Sequence, residues 1–217
     1  MKHTKLALVV EGATLLGKFC DLNRLPEPRL DIIYDAADRE CALIKRVGTC
    51  GYYRNGVVTV AVPLCAHQNP NYSWAAFISD RTPFGVLQHE LGHHADQIKT
   101  GYDIYDRAQP DEVFYSTSVR SRSGEAPITS YCPNTTEWFA EVFRLFITNP
   151  ALLCKIRPRA YSALVSDGWR PATNMDERQV LAQFDAPPRV YERMQKWLSA
   201  SAKLPLDWKP AKKGGKK

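Results

Sequence analysis

Residues 89–94 read His-Glu-Leu-Gly-His-His, and three of the five histidines fall inside this run. No other stretch constrains the fold as much. On an α-helix His89 and His93 project from one face, one turn apart. Two imidazoles so placed reach a single zinc ion at about 2.0–2.1 Å, and Glu90, beside the first, can act on a water held by that metal. The flanks support a helix. Thr82 suits the N-cap and Pro83 the first helical position. Phe84, Leu87, Leu91, Ala95 and Ile98 recur at helical spacing, and Gly101 closes the segment. His89, Glu90 and His93 lie off that apolar stripe, so the expected helix packs one side and offers the other. The competing reading is a chance match on a satisfied polar face, which the capped and periodic context disfavours.

The chain has 217 residues, enough for one sizeable domain with extensions. Hydrophobic content of 44% and charged content of 24% are ordinary for a globular protein. No apolar run approaches the roughly 18–20 residues of a membrane span. Near the N-terminus Glu11 interrupts the apolar residues 6–10, short of the roughly 7–15 that an export signal uses. The protein is therefore expected to stay where it is made, in the cytoplasm. Cys20, Cys41, Cys50, Cys65, Cys132 and Cys154 form no Cys-x-x-Cys pair, which leaves a structural zinc site unsupported; the even count allows three disulfides, and the lack of an export signal favours reduced thiols. No cysteine has a recognisable partner in sequence, so a cysteine nucleophile is disfavoured. Of the net charge of +6, +5 lies in residues 203–217, six lysines against Asp207. Residues 1–202 read as the folded domain and 203–217 as a basic, disordered tail. Such a tail is mostly solvated; weak attraction to nucleic acid or an acidic surface is its alternative use.

Along the chain, residues 4–22 read as a helix with Leu6, Val9, Val10, Ala13, Leu16 and Phe19 inward. Residues 30–34 read as a strand and 35–41 as a turn or short helical segment. Asn55-Gly56, between Tyr52-Tyr53 and residues 57–62, is a hairpin signal, and Pro63 limits the second strand. Residues 73–79 are a candidate helix leading into the motif helix. Residues 102–134 show no clear periodicity and read as a long loop that shapes specificity. Residues 135–148 are a strong helix stopped by Asn149-Pro150, and further helices are expected within 158–168 and 176–201. The order is helix, about three strands, motif helix, then C-terminal helices: a compact α+β domain with a small mixed sheet. Residues 57–62 are the candidate sheet edge for an incoming substrate strand.

A catalytic zinc takes three protein ligands and keeps one open position. No histidine follows His94, so the third ligand is a carboxylate, a cysteine, or His67 from upstream. The strongest carboxylates are Glu137 and Glu141, one turn apart on one helix face, where two like charges repel and a nearby cation would let them coexist. Both have plainer readings. Asn134-x-x-Glu137 is a capping-box pattern, and Glu141 can pair with Arg144 on a solvated face.

Two motifs stand in order here: His89-Glu90-Leu91-Gly92-His93-His94-Ala95-Asp96, then Thr129-Ser130-Tyr131 followed by Glu137-Trp138-Phe139-Ala140-Glu141-Val142-Phe143-Arg144. Together they resemble the lethal-factor-like zinc peptidases, named for the catalytic domain of anthrax lethal factor. The resemblance covers residues 84–148 and none of that toxin's delivery or docking domains, so it carries over neither toxicity nor substrate. It implies a minimal zincin fold, with the motif helix and the Glu137 helix on opposite sides of a cleft. It further implies His89, His93 and Glu137 as zinc ligands, Glu90 as general base, Tyr131 as hydrogen-bond donor to the transition-state oxyanion, and Glu141 and Asp96 as acceptors that orient the ligating imidazoles.

The resulting expectation is a zinc-dependent endopeptidase acting on a protein or peptide substrate. The alternatives are a non-catalytic zincin-like module that binds peptide or nucleic acid, and a peptidase brought to nucleic acid by its lysine tail.

Overall fold

The computed structural model describes residues 4–66, 79–101, 114–129, 132 and 134–173. Tyr131, His67, the candidate helix at 73–78, the helices expected within 176–201 and the tail 203–217 lie outside the described residues.

Thr4 opens helix α1 (Lys5–Asn23) by accepting the Ala7 amide at 3.1 Å. Its inward face is Leu8, Val9, Gly12, Leu16, Phe19 and Cys20. This corrects the expected stripe: Leu6 and Val10 stand 57% and 58% exposed. The cause is the crossing with the motif helix. α1 makes its contact at Gly12, whose carbonyl accepts Gln88 Nε2–H at 2.7 Å, and this turns the helix away from the position its apolar residues alone would choose.

Strand β1 (Arg29–Ile33), helix α2 (Arg39–Val47), strand β2 (Gly51–Arg54) and strand β3 (Val57–Ala61) build a three-stranded sheet in the order β1-β3-β2. β1 runs parallel to β3, and β2 runs antiparallel to it with Arg54 paired to Val57. The two-residue turn between β2 and β3 holds Asn55 at φ 47° and Gly56 at φ 78°, the left-handed geometry that an Asn-Gly turn accommodates. α2 starts within the expected 35–41 segment and runs further, capped by Asp38, which accepts from Glu40 N at 2.7 Å, and ended by Gly48. The strand expected at the edge, 57–62, is instead central. Its residues Val58 to Ala61 are buried, and an apolar run without alternation suits a strand covered on both sides. Val62 turns into the 3-10 segment Val62–Leu64.

Helix α3 (Pro83–Thr100) carries the motif between the expected caps: Thr82 accepts from Gly85 N at 3.2 Å and Gly101 takes φ 79°. Its surroundings differ from expectation. Gly85 to Asp96 are all buried, while Ile98 is 44% exposed. No face is left open, because α5 (Thr135–Thr148) covers the side that carries the histidines. α4 (Tyr115–Ser123) precedes α5 and lies inside the stretch expected to be a loop. α6 (Pro150–Ile156) begins where α5 stops, on the Asn149 cap, and α7 (Pro158–Ser166) follows.

Two apolar clusters meet across α3. Leu91 and Ala95 join Leu16, Phe19, Phe139, Phe143 and Phe146 in the larger one. Val86 and Leu87 join Tyr53, Val58 and Val60 in the smaller one. In the larger cluster Phe19 meets Phe143 edge-on at 5.3 Å. Sheet, α3 and α5 thus form successive layers, with the histidines in the last seam. Among the described residues no helix is long and apolar enough to cross a membrane.

Candidate metal centre

The seam is set by one close approach. A Cβ on Gly92 would stand 2.8 Å from the Ala140 Cα, so α5 crosses α3 directly above Gly92. His89 and His93 flank that point on α3. On α5, Glu137 lies three residues before Ala140 and Glu141 one after. The crossing therefore brings both carboxylates over the imidazoles.

Glu137 Oε2 lies 3.0 Å from His89 Nε2, and Oε1 lies 3.6 Å from His93 Nε2. One ligand atom from each of the three residues falls within 4.8 Å of the other two. The Asn134 side chain accepts Glu137 N at 2.9 Å, so the cap pattern is real as well. A backbone amide bound to Asn134 leaves the Glu137 side chain free to face α3.

Glu141 Oε1 accepts from His89 Nδ1 at 2.8 Å, which turns His89 Nε2 toward Glu137. Its partnership with Arg144 is buried rather than solvated, both side chains being 1% exposed. Arg144 Nε and Nη2 each donate to Glu141 at 3.1 Å. Ser79 Oγ–H donates to the second carboxylate oxygen at 3.1 Å. Asp96 does not take the expected place behind His93. Its Oδ1 accepts from Ser116 N at 2.8 Å and from Thr100 Oγ1 at 3.3 Å, while Asp96 Oδ2 and His93 Nδ1 are buried without hydrogen-bond partners among the described residues. The first turn of α4, which the sequence did not signal, competes for that carboxylate.

Glu90 is buried beside the imidazoles. Burial pushes its carboxyl up; the His89 and His93 charges pull it down, and Glu137 adds to the rise. For Glu137 and Glu141 burial also raises the pKa, but His89 and His93 around the first, and Arg144 and His89 around the second, hold both well below the usual carboxylate range. Burial disfavours the His89 imidazolium; hydrogen bonds to Glu137 and Glu141 outweigh it and bring the ring to about 10. Three carboxylates thus converge on two imidazoles in a desolvated seam with Arg144 as the fixed cation. This donor set, two ring nitrogens and one carboxylate oxygen, could hold a metal ion.

A pocket opens onto this seam from the sheet side, lined by Cys50, Ser79, Arg81, Val86, His89 and Glu90. Ser79 and Arg81 carried no motif in the sequence, and Arg144, at the end of the second motif, had no site role there. The best available signal was Arg144, three residues after Glu141, and it read as a surface pair. Ser79 Oγ also lies 3.2 Å from Thr129 Oγ1, and the segment before Thr129 is held by Arg157, which donates to the carbonyls of Ala126 at 2.6 Å and Pro127 at 2.7 Å. No protein-family model, curated protein or solved structure matches the chain.

Proposed function

We propose that the chain is a zinc-dependent endopeptidase. The observation that carries this reading is the single carboxylate of Glu137 facing both imidazoles of the helical pair, with Glu90 beside His89 on the adjoining pocket wall. Zinc held by His89, His93 and Glu137 would supply a Lewis acid and acidify a water molecule. Glu90, buried and with a raised pKa, takes a proton from the attacking water and returns it to the leaving amine. Glu141 and Arg144 keep the His89 ring in one tautomer and orientation. Tyr131 is assigned the oxyanion contact on the resemblance alone. The substrate is a protein or peptide whose chain enters from the pocket beside β2, an edge of the sheet among the described residues.

A non-catalytic binding module is the second reading. A retained Glu90 in the pocket speaks against it, because peptide binding alone has no use for a buried carboxylate beside the metal ligands.

Elemental analysis of the purified protein is the first test. One zinc per chain is expected, with retention much weaker in Glu137→Ala. Glu90→Gln should keep the zinc and lower peptide hydrolysis by roughly 10²–10⁴-fold. No zinc after reconstitution would remove the peptidase reading. Zinc with undiminished Glu90→Gln turnover would remove Glu90 as the base.

A further inference from the structure

We propose that Cys50, which lines the pocket, and Cys65 form a redox-active dithiol, in which the Cys50 sulfur reacts with a small hydroperoxide and Cys65 resolves the product as a disulfide.

The sheet brings the two together. Ala61 N–H donates to the Cys50 carbonyl at 2.8 Å, which sets Cys50 opposite the end of β3. The chain then turns through Val62–Leu64 and delivers Cys65 back to the same corner. Cys65 Sγ lies 3.4 Å from the Ala61 carbonyl and Cys50 Sγ 3.4 Å from the Leu64 carbonyl, so both sulfurs sit at the same corner.

The corner is electropositive. Arg81 Nη2–H donates to Cys50 Sγ at 3.2 Å. Lys5 Nζ donates to the carbonyls of Val62 at 2.9 Å and Pro63 at 3.1 Å, which fixes a second positive charge nearby. The hydrogen bond from Cys65, followed by those effects of Arg81 and Lys5, overcomes burial and brings the Cys50 thiol down to about 6, while Cys65 is pushed up by the same contact. The Arg81 guanidinium and the Cys65 thiol thus favour the thiolate form of Cys50, the form in which a cysteine is nucleophilic. Cys20 and Cys132, by contrast, are pushed up to about 12, mainly by burial. Access is through the pocket, which Cys50 lines together with His89 and Glu90.

The chemistry balances. The Cys50 thiolate attacks one peroxide oxygen; an S–O bond forms, the O–O bond breaks, and the departing hydroxide or alkoxide takes up a proton. The Cys65 sulfur then attacks the sulfenic acid; an S–S bond forms, the S–O bond breaks, and water leaves with the Cys65 proton. Two thiols lose two electrons to one hydroperoxide.

The full-length chain tests this with hydrogen peroxide and iodoacetamide. At pH 7 Cys50 should alkylate about tenfold faster than the exposed Cys154. Peptide mapping after peroxide should find the Cys50–Cys65 disulfide. Cys65→Ser should instead stop at a sulfenic acid on Cys50 that dimedone traps, and Arg81→Met should move the alkylation midpoint to higher pH. Alkylation of Cys50 no faster than Cys154, or peroxide treatment of the wild-type chain that leaves Cys50 and Cys65 unlinked, would overturn the proposal even if the variants fail to fold.

Discussion

Glu141 touches His89, Ser79 and Arg144 at once, with every contact at 3.1 Å or less. A buried carboxylate with that many donors is held in one place, and so is the ring it holds. Arg144→Met leaves Glu141 without its cation. The expected loss is about 3–5 kcal/mol in stability, the usual result of breaking a buried ion pair, and about 10–100-fold in zinc affinity. Urea denaturation and a competitive zinc titration measure the two; unchanged values would make the pair incidental. Protonation follows from the same contacts. In metal-free protein the His89 ring is raised from 6.5 to about 10, so its contribution is complete below pH 6.5 and is lost as pH rises through about 10. Glu137 and Glu141 are lowered from 4.5, so theirs is complete above pH 4.5 and lost as pH falls. This cluster should therefore favour the metal-free fold most between pH 4.5 and 6.5, and zinc affinity should rise with pH because binding expels the His89 proton. Melting curves of chelated protein across that range check the first; a melting temperature that does not fall above pH 6.5 would remove the His89 proton from the account.

Helices α3 and α5 make the site by crossing where neither has a side chain in the way. Gly92→Ala places a Cβ 2.8 Å from the Ala140 Cα, so α5 must move. Overpacking of this kind costs about 1–3 kcal/mol. Since Glu137 rides on α5, zinc affinity should fall along with stability. If stability fell but zinc binding held, the crossing would matter to the core alone. Helix α4 shows why some elements were not legible. Tyr115–Ser123 buries only Val119 among large apolar residues, and its N-cap Phe114 offers no side-chain bond. Its first amides are satisfied from another helix, Tyr115 N by Thr100 Oγ1 at 2.9 Å and Ser116 N by Asp96 at 2.8 Å. A helix capped through space leaves no local pattern to read. α3 and α5 carry their own caps and stripes, and their expected limits agree with the observed ones.

At the scale of the whole molecule α3 is shared by both apolar clusters, and the candidate metal site ties it to α5 across the seam. A zinc there links elements that the fold must already bring together, so its removal should weaken the entire domain. With free zinc at about a thousand times the dissociation constant, binding adds about 4 kcal/mol to stability. Chelation should accordingly lower the melting temperature in a single cooperative transition; a melting temperature indifferent to chelator would separate the site from the fold. By itself the sequence determined the α+β class, the Asn55-Gly56 hairpin, the limits of α3 and α5, and the one-turn spacing of His89 and His93, because caps, turns and periodicity are encoded within a few residues of where they act. Only the tertiary structure decided that β3 is central, that α1 is rotated onto Gly12, that Asp96 serves α4, that the Glu141–Arg144 pair is buried, and that Arg81 sits beside Cys50. Each of these depends on which distant element arrives at a face, and the packing of residues far apart in the chain settles that competition.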